Sequence, residues 1–377
     1  MAILRTAAAA SLFAMTSALA AESLVYIGTY TNKDRSKGIY AYRFNDQDGK
    51  LTPIGLVAET PSPSFLAIHP SGKFLYAVNE IDSFKGEKAG SLSAFSISKP
   101  DGKLTLLNTV STKGTGPCHV SIDPSGQTAM IANYGGGSIA SYGIGSDGKL
   151  TEAVSFIQHS GSGANPGRQR GPHAHSINVD ASRGHAIVAD LGLDKLFFYK
   201  LDSAKHTLTA GSSIDLPPGS GPRHFALHPN KKFGYVINEM LMNISAISIG
   251  NESGRIMQTI STLPGPTEKG FSTAEVVVHP NGKFVYGSNR GHNTIASFSV
   301  DPASGQLKAI DHTSTQGKTP RNFAIDPSGK FLIAANQDSD NIVVFRLDAN
   351  TGKLTSTGTS HEVVMPVCVR FLTLTAK

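Results

Sequence analysis

An all-β, seven-bladed propeller is the fold this sequence predicts, and three observations carry the prediction. Two short turn motifs recur about every 50 residues along the chain. The segments between them alternate apolar and polar residues in runs of strand length. Glycine (39) and proline (20) are plentiful, and amphipathic helical stretches of the kind a helical solenoid needs are not visible. A period of this size with four strands per unit describes a propeller blade, a four-stranded antiparallel sheet.

The first motif is complete at Gly49-Lys50-Leu51-Thr52, Gly102-Lys103-Leu104-Thr105, Gly148-Lys149-Leu150-Thr151 and Gly352-Lys353-Leu354-Thr355. Weaker copies stand at Thr207-Leu208-Thr209, Gly254-Arg255-Ile256 and Gly305-Gln306-Leu307, making seven. The second is a His/Asp-Pro-Ser/Asn-Gly-Lys turn beginning at His69, Asp123, His228, His279 and Asp326, with a degenerate copy at Asp180. One unit then reads as strands over 65–68, 74–78, 91–97 and 104–110, each turn supplied with the Gly, Pro, Asp or Asn it needs. At the ends, 24–29 matches a second strand, 38–44 a third, and 366–371 a first strand with no second after it. The two termini therefore share one blade and close the ring, which removes exposed sheet edges.

Residues 1–20 stand apart. Arg5, an apolar stretch of Ala, Leu, Phe and Met, and Ala18-Leu19-Ala20 ahead of Ala21 form the pattern of a cleavable secretory signal peptide. The apolar run is too short to anchor the chain, so residues 21–377 are expected as a single exported propeller domain, periplasmic or secreted, without membrane insertion. The formal charge is +6, with Lys and Arg scattered and not clustered, which argues against nucleic acid as a partner. Cys118 and Cys368 are too few for a disulfide framework and read as separate free thiols; a monomer is expected.

Because the units align with one another, repetition separates scaffold from exception. His69, His228 and His279 recur in the same turn and read as structural. Asn79, Asn133, Asn238, Asn289 and Asn336 end the second strand in five units and read chiefly as anchors for backbone groups near the channel. The slot after that Asn varies: Tyr30, Glu80, Tyr134, Leu191, Glu239, Arg290 and Gln337. So does the start of the first strand, with Ser64, Cys118, Arg223, Arg321 and Val367, and in the third unit either His173 or His175 by the direction of counting. The following position holds Phe65, His119, His224, Glu275, Asn322 and Cys368.

In antiparallel topology these slots meet at one mouth of the channel. The ring there contains His119, His173, His175, Arg223, His224, Glu239, Glu275, Arg290, Arg321 and Asn322. Ionisable groups at such density are costly to bury unless they pair with each other or serve a ligand. Arginine forks suit an anionic or polyoxygenated small molecule, and carboxylates and imidazoles beside them can move protons. His173-Ala-His175 is half a metal site with nothing to complete it, so no metal or cofactor is expected. No Gly-x-Ser-x-Gly elbow or phosphate-loop pattern occurs, and the glycine-rich stretches at 135–137 and 161–167 read as loops.

Across nearly all of residues 21–377 the chain resembles the bacterial propeller lactonases, a family that includes one type of 6-phosphogluconolactonase and, more distantly, carboxy-muconate cycloisomerase. The resemblance rests on Tyr26-Ile27-Gly28-Thr29-Tyr30-Thr31, Gly171-Pro172-His173-Ala174-His175 and Gly221-Pro222-Arg223-His224-Phe225 with Asn238-Glu239. Gly287-Ser288-Asn289-Arg290-Gly291 and Thr319-Pro320-Arg321-Asn322-Phe323 complete it. It implies lactone chemistry at the channel mouth with His175, Arg223, Glu239 and Arg290 as catalytic residues. His173, His224, Asn289, Arg321 and Asn322 are assigned to substrate binding. The expected reaction is metal-independent attack of water on a sugar-acid lactone: Arg223 and Arg290 stabilise the oxyanion, and Glu239 and His175 share the proton transfers. An export signal fits an unphosphorylated lactone such as gluconolactone better than a phosphorylated cytosolic one. Two other readings stay open at this point: a lactone-forming cycloisomerase, and a non-catalytic envelope propeller that binds a glycan or protein through outer loops such as 160–170.

Overall fold

The computed structural model describes residues 22–31 and 35–374. The expected signal peptide over 1–20 lies outside the described residues. The rest forms seven four-stranded sheets, each antiparallel and meandering outward from an innermost first strand. Six are continuous in sequence: blade 1 (residues 65–111), blade 2 (117–158), blade 3 (174–215), blade 4 (222–261), blade 5 (272–314) and blade 6 (320–362). The seventh closes the ring, with Pro366–Leu374 innermost and Glu22–Thr29, Gly38–Asn45 and Leu51–Glu59 outside it. Glu22 pairs with Leu374 and Gly28 with Cys368, so the closing strand is held along its whole length. Innermost strands touch their neighbours all round the ring, from Phe65–Ile68 to Pro366–Leu374 and back. The observed strands of blade 1 reproduce the sequence expectation, each second and fourth strand running one residue further.

Core residues lie between blades. Second strands are almost wholly buried, as in Phe331–Asn336 and Thr128–Asn133, and third strands largely so, as in Ser138–Ile144, because both faces of each sheet pack on a neighbour. Outer strands such as Leu150–Gln158 alternate half-buried and exposed positions.

Four of the Gly-Lys-Leu-type turns and the three His copies of the second motif prove to be clamps between adjacent blades. Tyr26, Tyr76, Tyr235 and Tyr286 donate their hydroxyls to the carbonyls of Gly102, Gly148, Gly305 and Gly352 at 3.0–3.1 Å, each glycine belonging to the next blade's Gly-Lys-Leu-type turn. Only glycine fits: Gly305 has φ 72, and a Cβ there would lie 2.5 Å from the Phe233 ring. His69, His228 and His279 likewise donate through Nε2 to the carbonyls of Gly126, Gly282 and Gly329 in the next blade at 2.8–2.9 Å. Their Nδ1 atoms accept from the backbone N–H of Ser71, Asn230 and Asn281, which fixes the tautomer. These histidines are structural, but their work is between blades as well as within the turn.

Cys118 and Cys368 are separate, buried and unpaired. Among the described residues no helix is long and apolar enough to cross a membrane. Removing one clamp leaves a buried carbonyl without its donor, so His228→Ala should lower stability by about 1–3 kcal/mol and Tyr76→Phe by about 1 kcal/mol. Urea unfolding curves of the two variants beside the parent protein check this, with an unchanged m-value expected.

Candidate active site

The mouth is built by one irregularity repeated around the ring. At the start of the inner strand, pairing runs Pro117 to Asn133 and then His119 to Ala132, leaving Cys118 without a partner. The same bulge leaves out His175, Arg223 and Arg321. A bulge re-aims the extra residue and bends the strand, so these four side chains occupy equivalent places at the channel mouth. This places His175, and not His173, in the slot of Arg223. His173 occupies the turn just ahead of the strand, where its carbonyl accepts from Leu191 N and its ring stacks on Tyr134 at 4.6 Å.

The second slot is fixed by backbone as well. The N–H groups of Tyr30, Glu80, Tyr134, Glu239 and Gln337 donate to the carbonyls of Met365, Ser62, Gly116, Gly221 and Thr319, each just ahead of the inner strand in the same blade. All five accepting residues have positive φ, a conformation that turns the chain sharply into the strand. The asparagine before the slot holds the adjoining loop: Asn133, Asn289 and Asn336 donate to the carbonyls of Thr112, Thr262 and Thr315. Asn289 therefore spends its amide on the scaffold and does not line the cavity.

These slots enclose a cavity of about 340 Å³ lined by Glu80, Cys118, Tyr134, Arg168, His175, Glu239, Ser272, Arg290 and Arg321. At its centre stands Glu239. Arg168 Nη2 donates to Oε1 at 2.8 Å, while Arg290 Nη2 and Arg223 Nε lie 2.9 and 3.2 Å from Oε2. Burial pushes this carboxyl upward, but Arg290, Arg223 and Arg168 outweigh it and hold the group down at about 2. Glu239 is thus held ionised at neutral and mildly acid pH and orders three guanidinium groups. Arg223 is almost fully buried, donates to Ala274 O at 2.7 Å, and is pulled down to about 10 by burial and by the charges of Arg321 and Arg290. Arg290 also donates to Thr273 O at 2.7 Å.

Below this layer sits a second. His224 Nδ1 donates to Glu275 Oε1 at 2.8 Å, Asn322 donates to the other carboxylate oxygen, and His224 Nε2 accepts from Arg223 Nη1 at 3.2 Å. His224 and Asn322 thus support Arg223 from beneath and lie outside the cavity lining. His119 and Phe65 pack against the His224 ring. Burial lowers His119 and His175 well below the usual histidine range and His224 to about 4, with the nearby Arg223 adding to each shift, so all three rings are neutral near pH 7.

Arg168, Tyr134, Glu80 and Ser272 complete the lining. Arg168 comes from the long connector over 159–173, where the preceding connector spans only 112–116. Its base is tied down by Gln169, which is buried and donates to Leu191 O and Asp194 Oδ1 at 2.7 Å. That connector length was the one sequence signal that could have pointed to Arg168. On the far side Tyr30 donates to both oxygens of Glu80 at 3.0 Å, and the Arg321 guanidinium lies 5.3 Å over the Tyr30 ring. A larger groove, about 510 Å³, runs past His69, Lys73 and His206, but these imidazoles are committed to Gly126 and Thr128. Among the described residues no cluster of three or more His, Cys, Asp or Glu could hold a metal ion.

Comparison with known proteins places this fold in a family. A family model described as lactonase, 7-bladed beta-propeller matches residues 24–371. The chain belongs to the seven-bladed β-propeller lactonase family. By membership it is a lactonase, a carboxylic-ester hydrolase. It is 36% identical over 349 residues to the 6-phosphogluconolactonase of Bacillus subtilis, covering 92% of this chain and 97% of that one. It is 37% identical to the 6-phosphogluconolactonase of Formosa agariphila over 80% of this chain and 85% of that relative. The solved periplasmic gluconolactonase of Pseudomonas aeruginosa superposes with a TM-score of 0.87 at 32% identity, covering 93% of this chain and 99% of that one.

The buried groups dictate the response to acid. Histidines held below their unfolded value of about 6.5 contribute stability that is complete above that pH and lost as pH falls toward about 4 for His224. Glu239 adds a second loss, from its unfolded value of about 4.5 down to about 2. Melting temperature should therefore fall in two stages between pH 6.5 and 2, and His119→Phe should flatten the upper one in a scanning-calorimetry series.

Proposed function

We propose that this lactonase hydrolyses the lactone of a six-carbon sugar acid at the channel mouth, by direct attack of water and without a metal. The observation that carries the reading is the group of guanidinium ions held around Glu239 in a cavity of about 340 Å³, a size suited to one sugar ring. Hydrolysis of an ester builds negative charge on the carbonyl oxygen as water adds. Fixed cations in a buried site stabilise that charge with no reorganisation during the reaction, worth roughly 10²–10³-fold for a single donor.

Arg290 is the group we assign to the oxyanion, and Arg321 and Arg168 to the oxygens of the substrate; Arg223, expected in the oxyanion role, lies outside the cavity lining and backs Glu239 from behind. Tyr134 offers a flat ring beside them, braced by His173. His175, neutral and buried, lines the same cavity and is assigned to orienting the lactone. Glu239 is poorly suited to proton transfer because three arginines hold it ionised. Its role in this reading is to fix the arginines.

The relatives include a 6-phosphogluconolactonase, named for a phosphorylated lactone, and a gluconolactonase, named for an unphosphorylated one. The leader pattern over 1–20 supports export, and an exported enzyme meets unphosphorylated sugar lactones, so we propose gluconolactone in the periplasm. Acid release from glucono-δ-lactone and from 6-phosphogluconolactone in a pH-stat tests this. Turnover well above the spontaneous rate with the unphosphorylated lactone is expected. Arg290→Ala should lower kcat/KM by at least about 100-fold. No acceleration of either lactone by folded protein would remove the proposal, and a strong preference for the phosphorylated one would overturn the substrate choice.

A further inference from the structure

The mouth holds a second glutamate in the slot equivalent to Glu239. Glu80 follows the second-strand asparagine of blade 1 as Glu239 follows that of blade 4, and both donate their backbone N–H to the turn ahead of the inner strand, at 2.9 and 2.7 Å. Three blades apart in a ring of seven, the two face each other across the cavity that both line. Their surroundings differ sharply. Glu239 is saturated by Arg168, Arg223 and Arg290. Glu80 takes a two-point contact from the Tyr30 hydroxyl and, among the described residues, lies within ion-pair distance of no Lys, Arg or His.

We propose that Glu80 is the general base that activates the hydrolytic water, and that Tyr30 holds its carboxylate in place. This rests on the lactonase reading above and names the proton acceptor that reading leaves unfilled. Two carboxylates that line one cavity in contrasting settings take different roles: Glu239 is paired with three guanidinium groups, whereas Glu80 is held by the Tyr30 hydroxyl, with the Arg321 charge acting from beyond ion-pair distance. A base must also stay in register with its target, and Glu80 is well held. Asn79 beside it donates to Thr60 Oγ1 and to Pro61 O at 2.8 and 2.7 Å, and Ser62, the acceptor of Glu80 N, has φ 38 and is tied to Thr31 Oγ1.

The step balances without any further reactant. One O–H proton of water passes to a Glu80 carboxylate oxygen as the water oxygen bonds to the lactone carbonyl carbon. The oxyanion so formed collapses and the bond from that carbon to the ring oxygen breaks. The departing ring oxygen takes the proton back from Glu80. The product is the open hydroxy acid, which ionises to release the proton that a pH-stat records. Arg321, stacked over Tyr30, and Cys118 are the other ionisable groups lining Glu80's side of the mouth.

The test compares Glu80→Gln, Glu80→Ala, Tyr30→Phe and the parent protein in the pH-stat with glucono-δ-lactone, with gluconate affinity measured by calorimetry as a check on binding. Glu80→Gln should lose roughly 100- to 10,000-fold in kcat, with KM and gluconate affinity within about threefold. Tyr30→Phe should lose roughly 3- to 30-fold in kcat, since it disturbs only the positioning of the base. Added azide or formate should restore part of the Glu80→Ala rate, which a purely structural residue would not allow. Retention of kcat within about fivefold in Glu80→Gln, or a loss confined to KM, overturns the proposal while leaving the lactonase reading intact. An inactive parent protein would take both down.

Discussion

The carboxylate of Glu239 is the point on which the site depends. Four segments distant in sequence converge on it: the connector carrying Arg168, the inner strand of blade 4 carrying Arg223, the slot of Glu239 itself, and the second strand of blade 5 carrying Arg290. Arg223 and Glu239 are nearly inaccessible to water, where an unpaired charge costs several kcal/mol. The buried Arg223 is therefore tolerable only while the carboxylate is present, and the carboxylate is kept ionised by the cations around it. Three guanidinium groups on one carboxylate leave a surplus of positive charge around Glu239. It is the feature that makes the mouth receptive to an anion, or to a carbonyl oxygen becoming one.

Such an arrangement needs walls that do not yield, and the repeated turns supply them. The tyrosine and histidine clamps tie the closing blade to blade 1, blade 1 to blade 2, and blades 4, 5 and 6 to one another through glycine carbonyls, which opposes sliding of the second strands at those interfaces. Ring closure through Pro366–Leu374 extends the constraint to both termini. Below the mouth, Glu275, His224 and Asn322 brace Arg223 with uncharged hydrogen-bond geometry at its Nη1, since His224 is held neutral. Preorganisation of this kind places donors where charge will develop before the substrate arrives.

Much of this was legible in the sequence because a propeller repeats its own rules. The turn motifs, the strands between them and the split closing blade follow from local pattern and period, and the slots that ring the mouth follow from topology. Whatever depends on partners across the ring does not repeat and was not legible. The ambiguity between His173 and His175 is decided by a bulge that pairing shows and spacing does not. Arg168 sits in a glycine-rich connector that reads as an ordinary loop, and only its closure over the mouth gives it a partner. Tyr30 and Glu80 stand 50 residues apart and meet through the closing blade. His224, Asn289 and Asn322 fall in the right layers of the sequence ring but below or beside the cavity, because hydrogen-bond demand within the scaffold claims them.

The central claim is that Glu239 is a fixed anion and not a proton carrier. Carbon-13 NMR of protein labelled at the glutamate side-chain carboxyl carbon, with the Glu239 resonance identified by its loss in Glu239→Gln, measures this directly. The account predicts a signal that stays at the ionised position from neutral pH down to pH 4 and begins to move only as the solution approaches about pH 2. A Glu239 signal that titrates at or above the ordinary carboxyl range, about 4.3, would contradict it and return the residue to the list of possible bases.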